Sequence, residues 1–317
     1  MAKYGLTLSS EEHGPQKLIE VATAAEEAGF DFVSISDHFH PWISRQGHSP
    51  FVWSVLGALS QATENIEVVV GVTCPTMRIH PAINAHAVAT TARLLSGRFI
   101  WGVGSGENLN EHVLADPWPP ADIRLEMLRE AIELIRQLWS GESVTFRGDY
   151  YWVEDARLFD LPDKTPDVVI SAFGEEAAKF AGEAGDGLWT TGIDRSLIDT
   201  YRSHGGSGPI FSQLSLCWDP DREVAIDRAL EVWPNTALPG QLAQDLRTVA
   251  HFEQAVQMVG REDLEESQLP LGPDPEPVLH AIREAVDAGI DHVYLHQIGD
   301  PLDGFVEFWS DELRPRL

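Results

Sequence analysis

The sequence predicts an α/β protein built as a (β/α)8 TIM barrel. Three observations predict it. Short apolar runs alternate with longer segments of helical periodicity along most of the 317 residues, a pattern that implies a parallel sheet covered by helices. The runs can be followed through eight units, the number that closes a barrel. Polar, chemistry-bearing residues cluster just after the runs, where a barrel's loops converge on one cavity. An open doubly wound sheet is the alternative that the same alternation permits.

The elements follow in order. Residues 4–8 read as the first strand and 15–28 as a helix, with Pro15 in its first turn and Gly29 closing it. Residues 32–35 give the second strand, 51–62 a helix, 66–72 the third strand, and 81–95 a helix opened by Pro81. Residues 98–103 give the fourth strand, followed by the glycine-rich GSGENLNEH. The long segment 124–139 is amphipathic, with Leu128, Ile132, Ile135 and Leu138 at helical spacing. SVTFRGDYYWV then reads as a hairpin turning around 147–149. Segments 167–171, 188–191, 210–218 and 292–296 complete the strands. No repeat or linker interrupts the series, and LPLGPDPEP at 269–277 reads as an insertion returning to the barrel. The expectation is one domain over 1–317, with insertions at about 143–153 and 220–275.

Composition narrows the partners. At 43% hydrophobic the chain can bury a sizeable core. Fifty acidic residues against 22 basic ones give a net charge of −28, so neither nucleic acid nor an anionic membrane is an expected partner. The lysines are Lys3, Lys17, Lys164 and Lys179; such a surface suits a high-salt cytoplasm and also an ordinary acidic protein. Two distant cysteines, Cys74 and Cys217, make no disulfide framework. With no signal-peptide pattern in MAKYGLTLSSEE, a reduced, cytoplasmic chain is expected.

The strand ends hold the candidates for chemistry. The first is followed by Ser9, Ser10, Glu11, Glu12 and His13, the second by Asp37, His38, His40 and Trp42. After the third come Gly71, Val72, Thr73, Cys74 and Thr76, and after the fourth Ser105, Gly106, Glu107, Asn108 and Asn110. The fifth offers Ser171 and Gly174, the sixth Thr190 and Thr191. Any one group also reads as a polar loop or a helix cap. GSGENLNEH is either an anion cradle or a tight strand-to-helix turn; without GxGxxG and its distal acid it is no dinucleotide fingerprint. His38 and His40 form an HxH pair that can begin a zinc site, but SAFGEE and TTGID supply no further histidine, so no metal is expected. Without one, His38 suits a general base that takes the proton of an alcohol as its carbon gives up a hydride. The hydride then needs an acceptor cofactor.

The stretches SDHFHPW, GHSPFVWSVLGA, GVTCPTMRIHPA, GRFIWGVGSGENLNEH, LWSGESVTFRGDYYWV and AGEAGDGLW resemble the bacterial luciferase-like superfamily. Within it they resemble the branch using the 8-hydroxy-5-deazaflavin coenzyme F420, typified by glucose-6-phosphate dehydrogenases. The resemblance implies roles. His38 would be the base, Trp42 would line the site and steady developing charge, Glu107 would act as acid near the deazaflavin, and Glu11 would line the reactive pocket. Asp37, Thr76, Gly106, Asn110 and the backbone at Gly71 and Val72, the candidate for a cis peptide bond, would hold the ring system. Ala172, Phe173 and Gly174, with Thr190 and Thr191, would meet the cofactor's tail. The family also implies a homodimer.

The departures from that pattern bear on the substrate. Asp194 stands where the glucose-6-phosphate enzymes have a lysine, Ala243-Gln244 stands in place of a Lys-His pair, and no arginine aligns around 267–271. A phosphate dianion would meet acid where it needs cations. The expected substrate is therefore a neutral sugar or secondary alcohol, its identity set by the variable region 193–272. An FMN-dependent monooxygenase, a metal-dependent barrel hydrolase and a non-catalytic cofactor binder are the rival readings.

Overall fold

Ten strands form in chain order: β1 Lys3–Leu8, β2 Phe32–Ile35, β3 Glu67–Thr73, β4 Phe99–Val103, β5 Val144–Arg147, β6 Trp152–Ala156, β7 Val168–Ser171, β8 Gly187–Thr191, β9 Ile210–Leu216 and β10 His292–Gln297. The computed structural model describes residues 2–238, 242–267 and 269–317. Positions 239–241 and 268 of the expected 220–275 insertion, and residue 1, lie outside the described residues. Eight strands close a parallel barrel in the order β1-β10-β9-β8-β7-β4-β3-β2. The open-sheet alternative is thereby excluded. β5 and β6 pair antiparallel outside it, as the hairpin expected from the sequence.

Helices cover the barrel, among them Pro15–Glu27, Val52–Ala62, Pro81–Leu94, Ala121–Leu138, Glu175–Ala184 and Pro275–Asp287. The long helix Ala121–Leu138 buries Leu128, Ile132, Ile135 and Leu138, the stripe its spacing defines. Its Glu130 carboxylate accepts the backbone N–H groups of Asp149, Tyr150 and Tyr151, which fixes the hairpin turn. Tyr151 in turn donates its hydroxyl to the Thr76 carbonyl, so the hairpin braces the loop after β3. β9 stops two residues short of the expected 218, because Cys217 leaves the barrel to bridge Leu271.

Strand parity decides what faces the barrel axis, since alternate side chains point to opposite faces. Phe32, Val69, Val169, Trp189, Phe211 and Tyr294 fill the lower interior as one buried cluster. Two residues further along the same strands the inward positions turn polar: Ser34 and Ser36, Thr191, Gln213 and Ser215, and His296 line an open cavity. The apolar plug is the floor and the polar ring the wall.

Between β9 and the last barrel helix run Arg222–Val232, Leu242–Asp245, Val249–Ala255 and Arg261–Glu266. Phe252 of this insertion packs with Trp42, Ile43 and Leu109. That contact draws the insertion across the loops after β2 and β4, making it the side wall of the cavity.

Candidate active site

β1 ends at Leu8 and the chain makes one turn, with Glu12 and His13 N–H donating to the Ser9 carbonyl. The turn directs the buried Glu11 inward, where one oxygen accepts hydrogen bonds from the Ser9 (3.1 Å) and Ser36 (2.7 Å) hydroxyls. Its other oxygen lies 3.3 Å from His38 Nδ1. From the loop after β4, Asn110 accepts the N–H groups of Phe39 and His40 through its amide oxygen and donates to Glu107 Oε2 at 3.1 Å. That oxygen lies 3.4 Å from His38 Nε2. His38 is thus gripped between two carboxylates brought in by separate strands.

The electrostatics follow. Burial opposes protonation of His38, but the carboxylates of Glu11 and Glu107 outweigh it and leave the imidazole more basic than usual. Burial raises Glu107, against the pull of His38, so its carboxyl holds a proton more readily than an exposed one. Each of the two groups thus bears on the other's protonation. Trp42 leans over the imidazole with ring centroids 5.0 Å apart. Its backbone N–H is held by the Gln46 carboxamide at 2.8 Å, and its far face meets Phe252 edge-on.

Beneath this pair lies a buried ion cluster that sequence reasoning missed. Arg78 Nη2 donates to Asp37 Oδ1 at 2.9 Å, and its Nε lies 3.6 Å from Glu111 Oε1. Glu111 also accepts the Arg78 N–H at 2.8 Å. Burial pushes the Glu111 carboxyl up to about 7 despite Arg78. Glu111 sits inside the quoted GSGENLNEH and Arg78 inside TMRIH; a charged residue of each sign in two strand-end loops was the available signal.

A cavity of about 1530 Å³ opens above these groups. Glu11, Asp37, His38, Trp42, Gly71, Val72, Gly106, Glu107, Asn110, Phe173, Gly174 and Thr191 line it. Thr76, Ala172 and Thr190 are buried behind the wall. Thr190 follows the inward Trp189 and Ala172 the inward Ser171, so strand parity turns both outward. Thr76 instead sits beside Cys74, with Oγ1 and Sγ 3.0 Å apart. The Gly71–Val72 peptide bond is cis. His40 and His112 stack on each other, each with Nδ1 on a backbone carbonyl. Among the described residues no group of three or more His, Cys, Asp or Glu side chains is placed to hold a metal ion.

A family profile described as Luciferase-like monooxygenase matches residues 2–292. The chain belongs to that family. An F420-dependent glucose-6-phosphate dehydrogenase of Tsukamurella paurometabola is 35% identical over 328 residues, covering 99% of this chain and 97% of that one. An enzyme of the same description from Mycobacterium tuberculosis is 33% identical, covering 99% and 98%. Among solved structures, an F420-dependent secondary alcohol dehydrogenase in complex with an F420-acetone adduct superposes with a TM-score of 0.90 at 29% identity, covering 98% and 97%. The candidate residues of this chain gather at the C-terminal ends of the barrel strands.

Proposed function

We propose that the protein is a coenzyme F420-dependent dehydrogenase that moves a hydride between the carbinol carbon of a neutral sugar or secondary alcohol and the deazaflavin. The observation that carries this is His38, held between Glu11 and Glu107 on the wall of a cavity large enough for a cofactor and a substrate together. The relatives named above are F420-dependent oxidoreductases of a sugar phosphate and of a secondary alcohol, which supports the cofactor and the reaction class.

The residues present fit such a cofactor. Asp37 Oδ2 is buried at the cavity wall with no partner among the described residues, an acceptor awaiting a donor. Gly71 has no room for a Cβ, since one there would stand 2.0 Å from the Trp189 ring. Gly104 is similarly bare beside Val72, where an added Cβ would lie 2.9 Å from Cγ2. Gly71, Val72, Gly104 and Gly106 line the cavity together with Asp37 and Asn110, so a flat ring could lie against the backbone of β3 and β4 there.

When bound, the deazaflavin supplies the hydride acceptor in oxidation and the donor in reduction. This chain's residues handle the proton. With Nδ1–H of His38 directed to Glu11 and the His40 carbonyl, the lone pair stands on Nε2, facing Glu107 and the cavity. Nε2 takes the hydroxyl proton as the C–H bond gives up its hydride, and returns it to the ketone oxygen in the reverse direction. Glu11 stabilises the imidazolium that forms. Trp42 shields it from water, and Asn110 fixes Glu107.

Among the described residues no lysine lines the cavity, and the arginines that do, Arg124 and Arg129, are drawn to other groups, which favours a neutral substrate. Asp194, where a lysine is expected for phosphate, caps the helix Arg195–Ser203 by accepting the N–H groups of Ser196 and Leu197. Ala243 and Gln244 line the wall without charge. Arg124 donates to the Pro119 carbonyl and lies over the Trp118 ring, and Arg129 pairs with Glu183. The same reading takes the protein as a cytoplasmic homodimer, consistent with two buried free cysteines, and light scattering checks the dimer.

The test is fluorescence titration of the apo-protein with the deazaflavin and, separately, with FMN. Micromolar or tighter binding of the deazaflavin, and weaker binding of FMN, is expected; the reverse preference would move the chemistry to flavin monooxygenation. His38→Ala should then keep cofactor affinity while turnover falls by roughly 10²–10⁴-fold, the usual worth of a general base. Near-normal turnover would remove His38 from that role.

A further inference from the structure

A second histidine–carboxylate pair hangs from the same turn, on the opposite side. Glu12 Oε2 lies 3.3 Å from His296 Nε2, and its other oxygen accepts the Gly299 N–H at 3.1 Å. His296 Nδ1 lies 3.2 Å from the Ser215 hydroxyl, which receives a hydrogen bond of 3.1 Å from the Gln213 carboxamide. His296 and Ser215 are register partners on β10 and β9, so the row is built into the barrel ladder. His296 is 1% exposed, and Trp233 packs against its ring at 4.4 Å.

With the His296 proton on Nε2, the hydrogen bonds run in one direction. Glu12 accepts Nε2–H, which leaves the Nδ1 lone pair to accept the serine O–H, which leaves the serine oxygen to accept the carboxamide N–H. Buried polar groups are costly unless paired, and each inner member of this row is paired. Gln213 is the member left open: among the described residues its amide oxygen and second N–H have no partner, and it lines the cavity. The row thus presents one acceptor and one donor side by side to whatever enters. That pair matches a neutral hydroxyl, which is both. An anion would face the Gln213 oxygen in a cavity that Glu11 and Glu107 also line, and an alkyl group would leave the carboxamide unpaired.

We infer that Gln213, backed by Ser215 and His296, is a specificity-determining residue that binds a second hydroxyl of the substrate, so that the enzyme acts on neutral polyols or sugars rather than on simple secondary alcohols. This rests on the dehydrogenase reading above and narrows its substrate class.

The experiment compares glucose and glycerol with propan-2-ol and butan-2-ol as reductants of the deazaflavin, in wild type, Gln213→Leu and Ser215→Ala. A site built to pair a hydroxyl rejects the analogue lacking it by large factors, so wild type should favour a polyol by at least about 10²-fold in kcat/KM. In Gln213→Leu that ratio should collapse towards unity, with Ser215→Ala intermediate and deazaflavin affinity retained in both. Preference of wild type for the mono-alcohols, or a ratio untouched by both substitutions, would overturn the assignment while leaving the dehydrogenase standing. If the deazaflavin binds but no alcohol reduces it, the dehydrogenase reading fails. Thermal shift by glucose and glycerol then decides the row: stabilisation in wild type that is lost in Gln213→Leu supports it, and no stabilisation overturns it.

Discussion

Replacing Glu11 by Gln removes the charge beside His38, and with the amide oxygen kept on Ser36 it also turns an NH2 toward Nδ1 where an acceptor stood. In the proposed mechanism His38 becomes an imidazolium in the oxidative transition state, so that charge would contribute directly to the rate. At the observed 3.3 Å a unit charge is worth about 1.3 kcal/mol at the dielectric of water and about 5 kcal/mol at an effective value of 20. The corresponding loss in kcat lies between about 10-fold and a few thousand-fold. Glu107 still holds the other side of the ring, so roughly 10²-fold is expected, inside the general-base range. The pH profile supplies the sign. Oxidation needs the neutral imidazole, and Glu11 helps to hold its pKa up, so the acid limb of kcat must move to lower pH in Glu11→Gln. The assay is deazaflavin reduction at saturating alcohol across the pH range in which wild-type and variant proteins remain folded. A loss of less than threefold, or a limb that stays or moves to higher pH, would refute the argument that Glu11 sustains the base.

Other outcomes follow from the cluster beneath the site. Arg78→Met strands Asp37 and Glu111 without their cation and should cost roughly 3–5 kcal/mol in urea unfolding; a loss below 1 kcal/mol would mean the two acids find other partners. The Glu111 carboxyl, raised by burial to about 7 from 4.5, binds its proton more tightly folded than unfolded. Its contribution to stability is therefore full below about 4.5 and lost as the pH rises to about 7. Glu111→Gln should flatten that part of the stability–pH curve, as read by Tm at pH 5 and 7.5. Asp194→Lys with Ala243→Lys should raise turnover of glucose 6-phosphate, at a cost of about 1 kcal/mol for the lost helix cap. No gain would mean that missing lysines are not what disfavours phosphate.

The barrel was legible because each strand is short, apolar and followed by a polar turn, a signal contained in neighbouring residues. Its errors were local: helix Ala121–Leu138 begins three residues before the expected 124, with Asp122 in its first turn. The candidate pocket was legible where residues follow strands: Glu11, His38, Trp42 and Glu107 line one cavity, as their positions led one to expect. Three kinds of residue escaped. Arg78 finds Asp37 across 41 positions of sequence, a pairing that only closure of the barrel creates. Gln213, Ser215 and His296 lie within strands, where a reading that treated strands as scaffold and loops as chemistry passed over them. Thr190 and Ala172, expected at the cofactor's tail, have their side chains buried behind the wall, a matter of pleat side that residue type does not tell.

Adjacent acids on a single turn, Glu11 and Glu12, tether His38 and His296 respectively. Deleting or adding one residue between Leu8 and Gly14 would exchange or strand both tethers at once, so this segment tolerates no change of length. A lineage drifting towards new substrates could not reshape it without disturbing the proposed base, His38. The freedom to change diet lies across the barrel, at Gln213 and on the insertion carrying Trp233, where a substitution can redraw the pocket and leave the proton's path alone.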